Sequence, residues 1–474
     1  MPSTFNRSSV LETRIEVYLA RRGWTIIAST AFVVCGLLYF FRWSPVVRHR
    51  PSLWVMPSDL WTAYAASSAV AHGHLASIYG SGYLAFPGFL LALAPIGALS
   101  GRFSTVYVQV TSHGHPFTGT HYFVIPGTPR ILYDGVTNGG NLYAVHQGVF
   151  ALLALYVLLL SCTALFAFDA LAEELGVVRW RRAVLSLAEA VLLWGVVVVA
   201  GHPEDVLAVA LASWALLLAF QGRWTGAGWL FGAALAVQPL VIVLFPLLLA
   251  LGGRDRVLGL VVRGAVPAAA VGLVALVADP HGTIHALVDQ PAFPGVAGNY
   301  RTLWTPLAPR LSGSGSNEAV GSGPIRLVAL ALAAGLGWWS IRWRRRPEMI
   351  VWAATLALAL RVYTESDMTA YYTWPALALG VVIAGRADTR RFVVALVAAL
   401  VTLVVGQWQL DAGLWWGLQL AGVTVLLAAT ASPPPLEPVA PAPRAKGPAA
   451  GRRASPAGAR GSRGGTTKRQ PSRR

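Results

Sequence analysis

The chain is organised as a succession of apolar runs, at 24–41, 143–168, 184–200, 206–221, 226–237, 239–251, 257–278, 324–342, 350–362, 371–385, 392–409 and 413–430. In hydrocarbon every backbone polar group must be bonded within the chain, so runs of this kind fold as membrane helices. Charged residues make up 12% of the chain and hydrophobic ones 55%, against roughly 25% charged in an ordinary soluble domain. A water-soluble globule is excluded. The first run follows Arg21-Arg22 and continues into Phe41-Arg42-Trp43 rather than a small-residue cleavage site, so it reads as a retained helix and not a signal peptide. Cys35 and Cys162 lie inside apolar runs, where a thiol acts as a small buried hydrophobe. Neither a disulfide nor a cysteine metal site is expected.

Several runs are shorter than the roughly 20 residues of a perpendicular span. The two beside Gln238-Pro239 have arginine on both flanks (Arg223; Arg254 and Arg256), and read as a hairpin that enters the membrane and returns to the cytoplasmic side. The segment Leu84 to Leu99 sets the parity of the rest. If it does not span, arginines 179, 181, 182, 223, 254, 256, 263, 342, 344, 345, 346, 386, 390 and 391 share a side with Arg21-Arg22, and the short loops 201–205, 363–370 and 410–412 carry none. The positive-inside rule selects that arrangement. The expected protein is therefore an all-α polytopic bundle of about twelve membrane helices in the plasma membrane, both termini cytoplasmic. It divides into a cytoplasmic segment 1–23, a membrane domain 24–430 with external loops 42–142 and 279–323, and a basic tail 431–474.

In the first loop, Pro57-Ser58-Asp59 opens a helical stretch through Leu60, Tyr64, Ser67 and Ala71. The proline-flanked 84–99 segment is expected to dip into lipid, and the alternation around 104–125 suggests a hairpin turning at His113-Gly114-His115-Pro116. All ten histidines fall on or beside the external face, and Glu189, near the cytoplasmic end of its run, is the main carboxylate within a helix. Ion-coupled carriers need ionisable groups near the midplane, so this pattern counts against a pump. Candidate site residues are external. Asp59 opens an interfacial helix, where a carboxylate serves equally as a cap. Glu204 and Asp205 follow His202 in a five-residue turn and suit a helix first turn, a hydroxyl contact or a metal. His72 and His74 end a helix and are expected to be solvated.

Three stretches resemble the GT-C membrane glycosyltransferases, nearest the bacterial family 87 enzymes that use polyprenyl-phosphate sugars. They are Ser58-Asp59-Leu60-Trp61-Thr62-Ala63-Tyr64 with His74-Leu75, Ile78-Tyr79 and Phe86-Pro87-Gly88; Gly201-His202-Pro203-Glu204-Asp205; and Arg223-Trp224 through Gln238-Pro239 to Leu249. Where that family commonly has a lysine before the proline, this chain has Gln238. The resemblance implies an inverting glycosyltransferase of cell-envelope glycan or glycolipid synthesis, with a GT-C-like bundle and Asp59 as catalytic base. Tyr64, His202, Glu204, Asp205, Gln238, Arg301, Arg361 and Glu365 are the expected substrate contacts. Arg301, Arg361, His281 or His285 would meet the leaving phosphate, and Asp59, His202, Glu204 and Asp205 are the candidate ligands if a divalent metal takes part. Glu365 and Asp367 could hold sugar hydroxyls, and Tyr371-Tyr372-Trp374 reads as an interfacial belt. Expected partners are the polyprenyl-phosphate sugar, a glycan or glycolipid acceptor, and anionic lipid. A carrier or flippase for a lipid-linked sugar, and a non-catalytic GT-C relative in envelope assembly, are the alternatives.

The formal charge of +17 is consistent with this division. Residues 431–474 hold ten bases and one acid in a Pro-, Ala-, Gly- and Ser-rich sequence with too little apolar surface to fold alone. Their expected partner is anionic lipid and not nucleic acid.

Overall fold

The computed structural model describes residues 7–43, 53–81, 83, 85–99, 121–123, 131–133, 143–289, 299–311, 320–321, 325–408 and 410–431. Contacts divide the chain into Met1–Leu436 and Glu437–Arg474. The second unit, residues 432–474 of the expected basic tail and the expected turn at His113–Pro116 all lie outside the described residues.

The chain begins with α1 (Arg7–Trp43), β1 (Leu53–Met56), α2 (Ser58–Ala71) and α3 (Gly88–Gly97). The strands β2 (His121–Phe123) and β3 (Ile131–Tyr133) pair with each other, and β4 (Tyr143–His146) pairs antiparallel with β1, Leu53 opposite His146. The β1–β4 pair brings the two ends of the first loop together. There follow α4 (Gln147–Glu174), α5 (Arg179–Leu193) with a π-helical continuation over Trp194–Val199, α6 (Pro203–Phe220), α7 (Trp224–Val237), α8 (Phe245–Gly252), α9 (Arg254–Ala278) and the short α10 (Pro280–Ile284). The strand β5 (Asn299–Arg301) precedes α11 (Ile325–Ser340) and α12 (Pro347–Thr364). It pairs with β6 (Asp367–Thr369), after which come α13 (Trp374–Ala384), α14 (Thr389–Gly406) and α15 (Ala412–Thr430).

Among the described residues eight helices are long and apolar enough to cross a membrane, and 88–97, 224–237, 239–252 and 370–384 are shorter apolar helices. The protein is an all-α multi-pass membrane protein. Its outer faces are apolar, as lipid contact requires: Leu258 and Val277 on α9 are each 75% exposed. Cys162 is buried as expected, whereas Cys35 is exposed, because α1 lies at the edge of the bundle.

Ion pairs and backbone contacts show which helix ends meet. Arg22 of α1 and Arg182 of α5 both hold Asp169 of α4, the Arg182 Nε at 2.7 Å, while Arg21 reaches Glu173 at 2.6 Å. Arg181 donates to the carbonyls of Gly385 and Ala387, Arg344 to Ala250 and Arg391 to Ala429. Arginine thus supplies donors to carbonyls at helix C-termini, where the helix dipole also favours a cation. This end of the bundle, the arginine end, receives α1, α4 and α5, so the first loop leaves and returns at the other end. The hairpin of α7 and α8 starts and finishes here too, with its apex at Gln238-Pro239.

One face of the 84–99 segment packs on protein: Phe89, Leu90 and Leu93 are fully buried while Leu91 is 56% exposed, and α3 lies against α2 and α7. Backbone meets backbone there, since a Cβ on Gly88 would stand 2.0 Å from the Ala236 carbonyl oxygen. Glu189 sits midway along the Arg179–Val199 span, not near its end, because the helix starts five residues earlier than the apolar run and continues through the π turn.

Gly88→Ala is expected to destabilise the protein by about 1–3 kcal/mol, the usual cost of overpacking a close contact. Thermal unfolding of the purified full-length protein measures it, with Gly80→Ala, where a Cβ meets nothing within 4 Å, as the control.

Candidate functional site

At the end of the bundle opposite the arginines, a histidine stands between carboxylates from two different segments. The π turn returns the His202 N–H to the Val196 carbonyl at 2.9 Å, and Gly201 takes φ +75°, a conformation that costs glycine little. A Cβ on Gly201 would lie 2.8 Å from the Pro57 side chain. That close approach brings His202 against the start of α2.

His202 Nδ1 and Glu204 Oε1 are hydrogen-bonded at 2.7 Å, and Nε2 lies 2.7 Å from Asp59 Oδ2 as an ion contact rather than an aligned hydrogen bond. The ring stacks on Tyr371, centroids 3.9 Å apart and planes 22° from parallel. Burial opposes the imidazolium, but the charges of Glu204 and Asp59 outweigh it, and the His202 pKa is raised well above 6.5. Asp59 occupies the first turn of α2 with its side chain 52% exposed, so one end of this carboxylate–imidazole–carboxylate row faces outward and the other is buried.

Pro203 starts α6 and places Glu204 and Asp205 in its first turn, where free N–H groups and the helix dipole favour acids. Both are buried. Asp205 Oδ1 accepts a 2.9 Å hydrogen bond from Gln238 Nε2, so the hairpin apex reaches the depth of the α6 N-terminus and Gln238 supplies a neutral donor. Arg361, near the end of α12, lies 3.3 Å over the Tyr372 ring and pairs with Glu365 at 3.1 Å, while Arg326 approaches the same carboxylate at 3.3 Å. Asp205 is near enough to act electrostatically on Arg361, and Tyr371 lies within the fields of Asp59, Asp205 and Arg361. A low-dielectric surrounding strengthens all these interactions.

Asp59, His202, Glu204, Asp205, Gln238, Arg361 and Glu365 therefore form one polar group assembled from four separate parts of the chain. Other candidates lie apart. Tyr64 is buried in the apolar core. Arg301 is exposed on β5 with its backbone opposite Asp367. His281 is exposed and its ring stacks 6.5 Å from His285. His72 is exposed at the end of α2, its Nδ1 against the Ser68 carbonyl.

The expected aromatic belt is corrected: Tyr371 covers His202, Tyr372 carries Arg361, and Trp374 is fully buried. Sequence reading also missed Arg326, whose only signal is its position one residue into α11. Among the described residues no group of three His, Cys, Asp or Glu side chains is placed to hold a metal ion, and both His202 nitrogens already face carboxylates. Comparison with known protein families, characterised proteins and solved structures returns no match.

On β6, burial and the neighbouring Glu365 push Asp367 up to about 7, against a smaller opposing effect of the Met368 N–H. Two pH dependences follow. The raised His202 value means that its stabilisation is fully present below pH 6.5 and fades as pH climbs through the higher folded-state value. His202→Gln should thus lower the melting temperature most in acid, with the gap to the unaltered protein closing in alkali. For Asp367 the neutral form is favoured in the fold, so stability declines between the ordinary aspartate range and pH 7. Asp367→Asn should raise the melting temperature by an amount that grows from pH 4 to 7 and then levels, as read by thermal unfolding across pH.

Proposed function

We propose that this protein is an integral-membrane inverting glycosyltransferase of the GT-C type. It comprises about twelve membrane helices and takes a sugar from a polyprenyl-phosphate donor at the external face for a cell-envelope glycan or glycolipid. The observation that carries this reading is the gathering of Asp59, His202, Glu204, Asp205 and Arg361 at the first-loop end of the bundle. Charge is costly near a membrane and persists there mainly for function.

Asp59, the half-exposed member, is the base. It takes the proton of the acceptor hydroxyl as that oxygen bonds to the anomeric carbon, while the bond from the anomeric carbon to the phosphate oxygen breaks and its electron pair leaves with the phosphate. His202 holds Asp59 in place, and Glu204 on the opposite nitrogen keeps the imidazolium from withdrawing all of the Asp59 charge. Arg361 is the cation nearest this group and meets the growing phosphate charge. Gln238 orients Asp205 where a lysine would have neutralised it.

A second reading has its own observation. Glu189 lies at mid-span with neither carboxylate oxygen hydrogen-bonded, which suits an ion-linked carrier of a lipid-linked sugar. The two readings separate by variant. With the full-length protein in lipid and a panel of polyprenyl-phosphate sugars, Asp59→Asn should lower transfer by about 10²–10⁴-fold, the span of general base catalysis, and Glu189→Gln should leave it unchanged. Full activity in Asp59→Asn overturns Asp59 as base. Donor movement across vesicles that is lost in Glu189→Gln but kept in Asp59→Asn establishes the carrier.

A further inference from the structure

The arginine end holds a cavity of about 360 Å³ lined by Arg21, Arg22, Glu174, Trp214, Gln221 and Arg223, at the opposite end of the bundle from His202. Its depth is set by three spans: Arg21 begins one, Glu174 ends another and Phe220 ends a third. That is the level at which apolar helix gives way to polar headgroups, and the volume falls in the range of small-molecule sites, which begin at roughly 300 Å³.

The walls carry both signs, and each sign has capacity left over. Glu173, in the same wall, is satisfied on both oxygens, by Arg21 Nε and by Arg22, each at 2.6 Å. Arg21 is 59% exposed, and this pairing engages its Nε rather than its terminal nitrogens. Arg223 is exposed and has no side-chain partner among the described residues. Glu174 accepts from Gln221 Nε2 through Oε2 at 3.2 Å, which leaves Oε1 open. An anion alone would gain the arginines but face Glu174. A cation alone would meet the reverse.

We infer that this cavity binds a phosphoethanolamine group, its phosphodiester on Arg21 and Arg223 and its ammonium on Glu174 Oε1 against the Trp214 ring. Arginine's planar fork suits phosphate oxygens, an ammonium has three donors for a carboxylate, and an aromatic face attracts a cation. A phosphoglycerol group lacks the cation, and the methyls of phosphocholine cannot donate to Glu174. The position at the headgroup level makes the source a membrane lipid, phosphatidylethanolamine, rather than a soluble compound.

Lipid retention by the full-length protein is measured by native mass spectrometry against phosphatidylethanolamine, phosphatidylglycerol and phosphatidylcholine of the same acyl chains, and against water-soluble glycerophosphoethanolamine. Phosphatidylethanolamine should be retained best. Arg223→Gln should weaken it about tenfold, the loss of one charge-assisted hydrogen bond, and Glu174→Gln should abolish its preference over phosphatidylglycerol. Both side chains are exposed, so unfolding temperatures should not change. Equal retention of the three lipids, or an unaltered preference in Glu174→Gln, overturns the site. Binding of glycerophosphoethanolamine as tight as that of the lipid keeps the headgroup chemistry and overturns the lipid source.

Discussion

A histidine flanked by carboxylates on both ring nitrogens joins the parts of this protein that matter most. Asp59 belongs to a helix of the first loop, Glu204 to the start of a spanning helix, and Tyr371, stacked on the ring, to the turn before another. A protonated imidazole beside Glu204 offsets much of the penalty of burying that carboxylate. Removing it would leave the buried Glu204 without its cation and facing the charge of Asp59. The left-handed Gly201 and the π turn before it serve this one contact, and a π turn beside a functional group is a recurrent way of redirecting a side chain.

The opposite end is organised by the same physics with the signs arranged differently. There Arg21, Arg22 and Arg182 surround Asp169 and Glu173, and further arginines reach helix carbonyls. Each guanidinium has more donors than one carboxylate can use, so the arginines tie several helices together and still present donors outward. Between these two polar ends the core is almost wholly aliphatic and aromatic, with the buried carboxylate of Glu189 at mid-span. The molecule therefore has two chemically distinct faces, an acid-rich one fed by the first loop and an arginine-rich one.

The arginine pattern and the Gln238-Pro239 hairpin were legible because each depends on a few adjacent residues. Glu204 and Asp205 were legible for the same reason: proline followed by two acids is a helix start wherever it occurs. Arg301 illustrates the opposite case. Its Gly-Asn-Tyr-Arg setting looked as suitable for a phosphate as that of Arg361, yet pairing of β5 with β6 leaves it exposed, while the rotation of α12 turns Arg361 toward Tyr372 and Glu365. The pair Tyr371-Tyr372 has the composition of an interfacial belt, and only its neighbours show otherwise.

Sequence alone determined that the chain lies in a membrane, which runs form helices, which loops carry the arginines and which the acids. Transfer of a helix into lipid is a sum of per-residue terms, and that sum can be read along the chain. Tertiary structure alone decided that Asp59 meets His202, that Arg361 rather than Arg301 joins the group, that α3 buries Phe89, Leu90 and Leu93 against its neighbours, and that Glu189 stands midway along its helix. Those outcomes depend on how each helix is rotated and how far it slides against its neighbours, which no local sum contains.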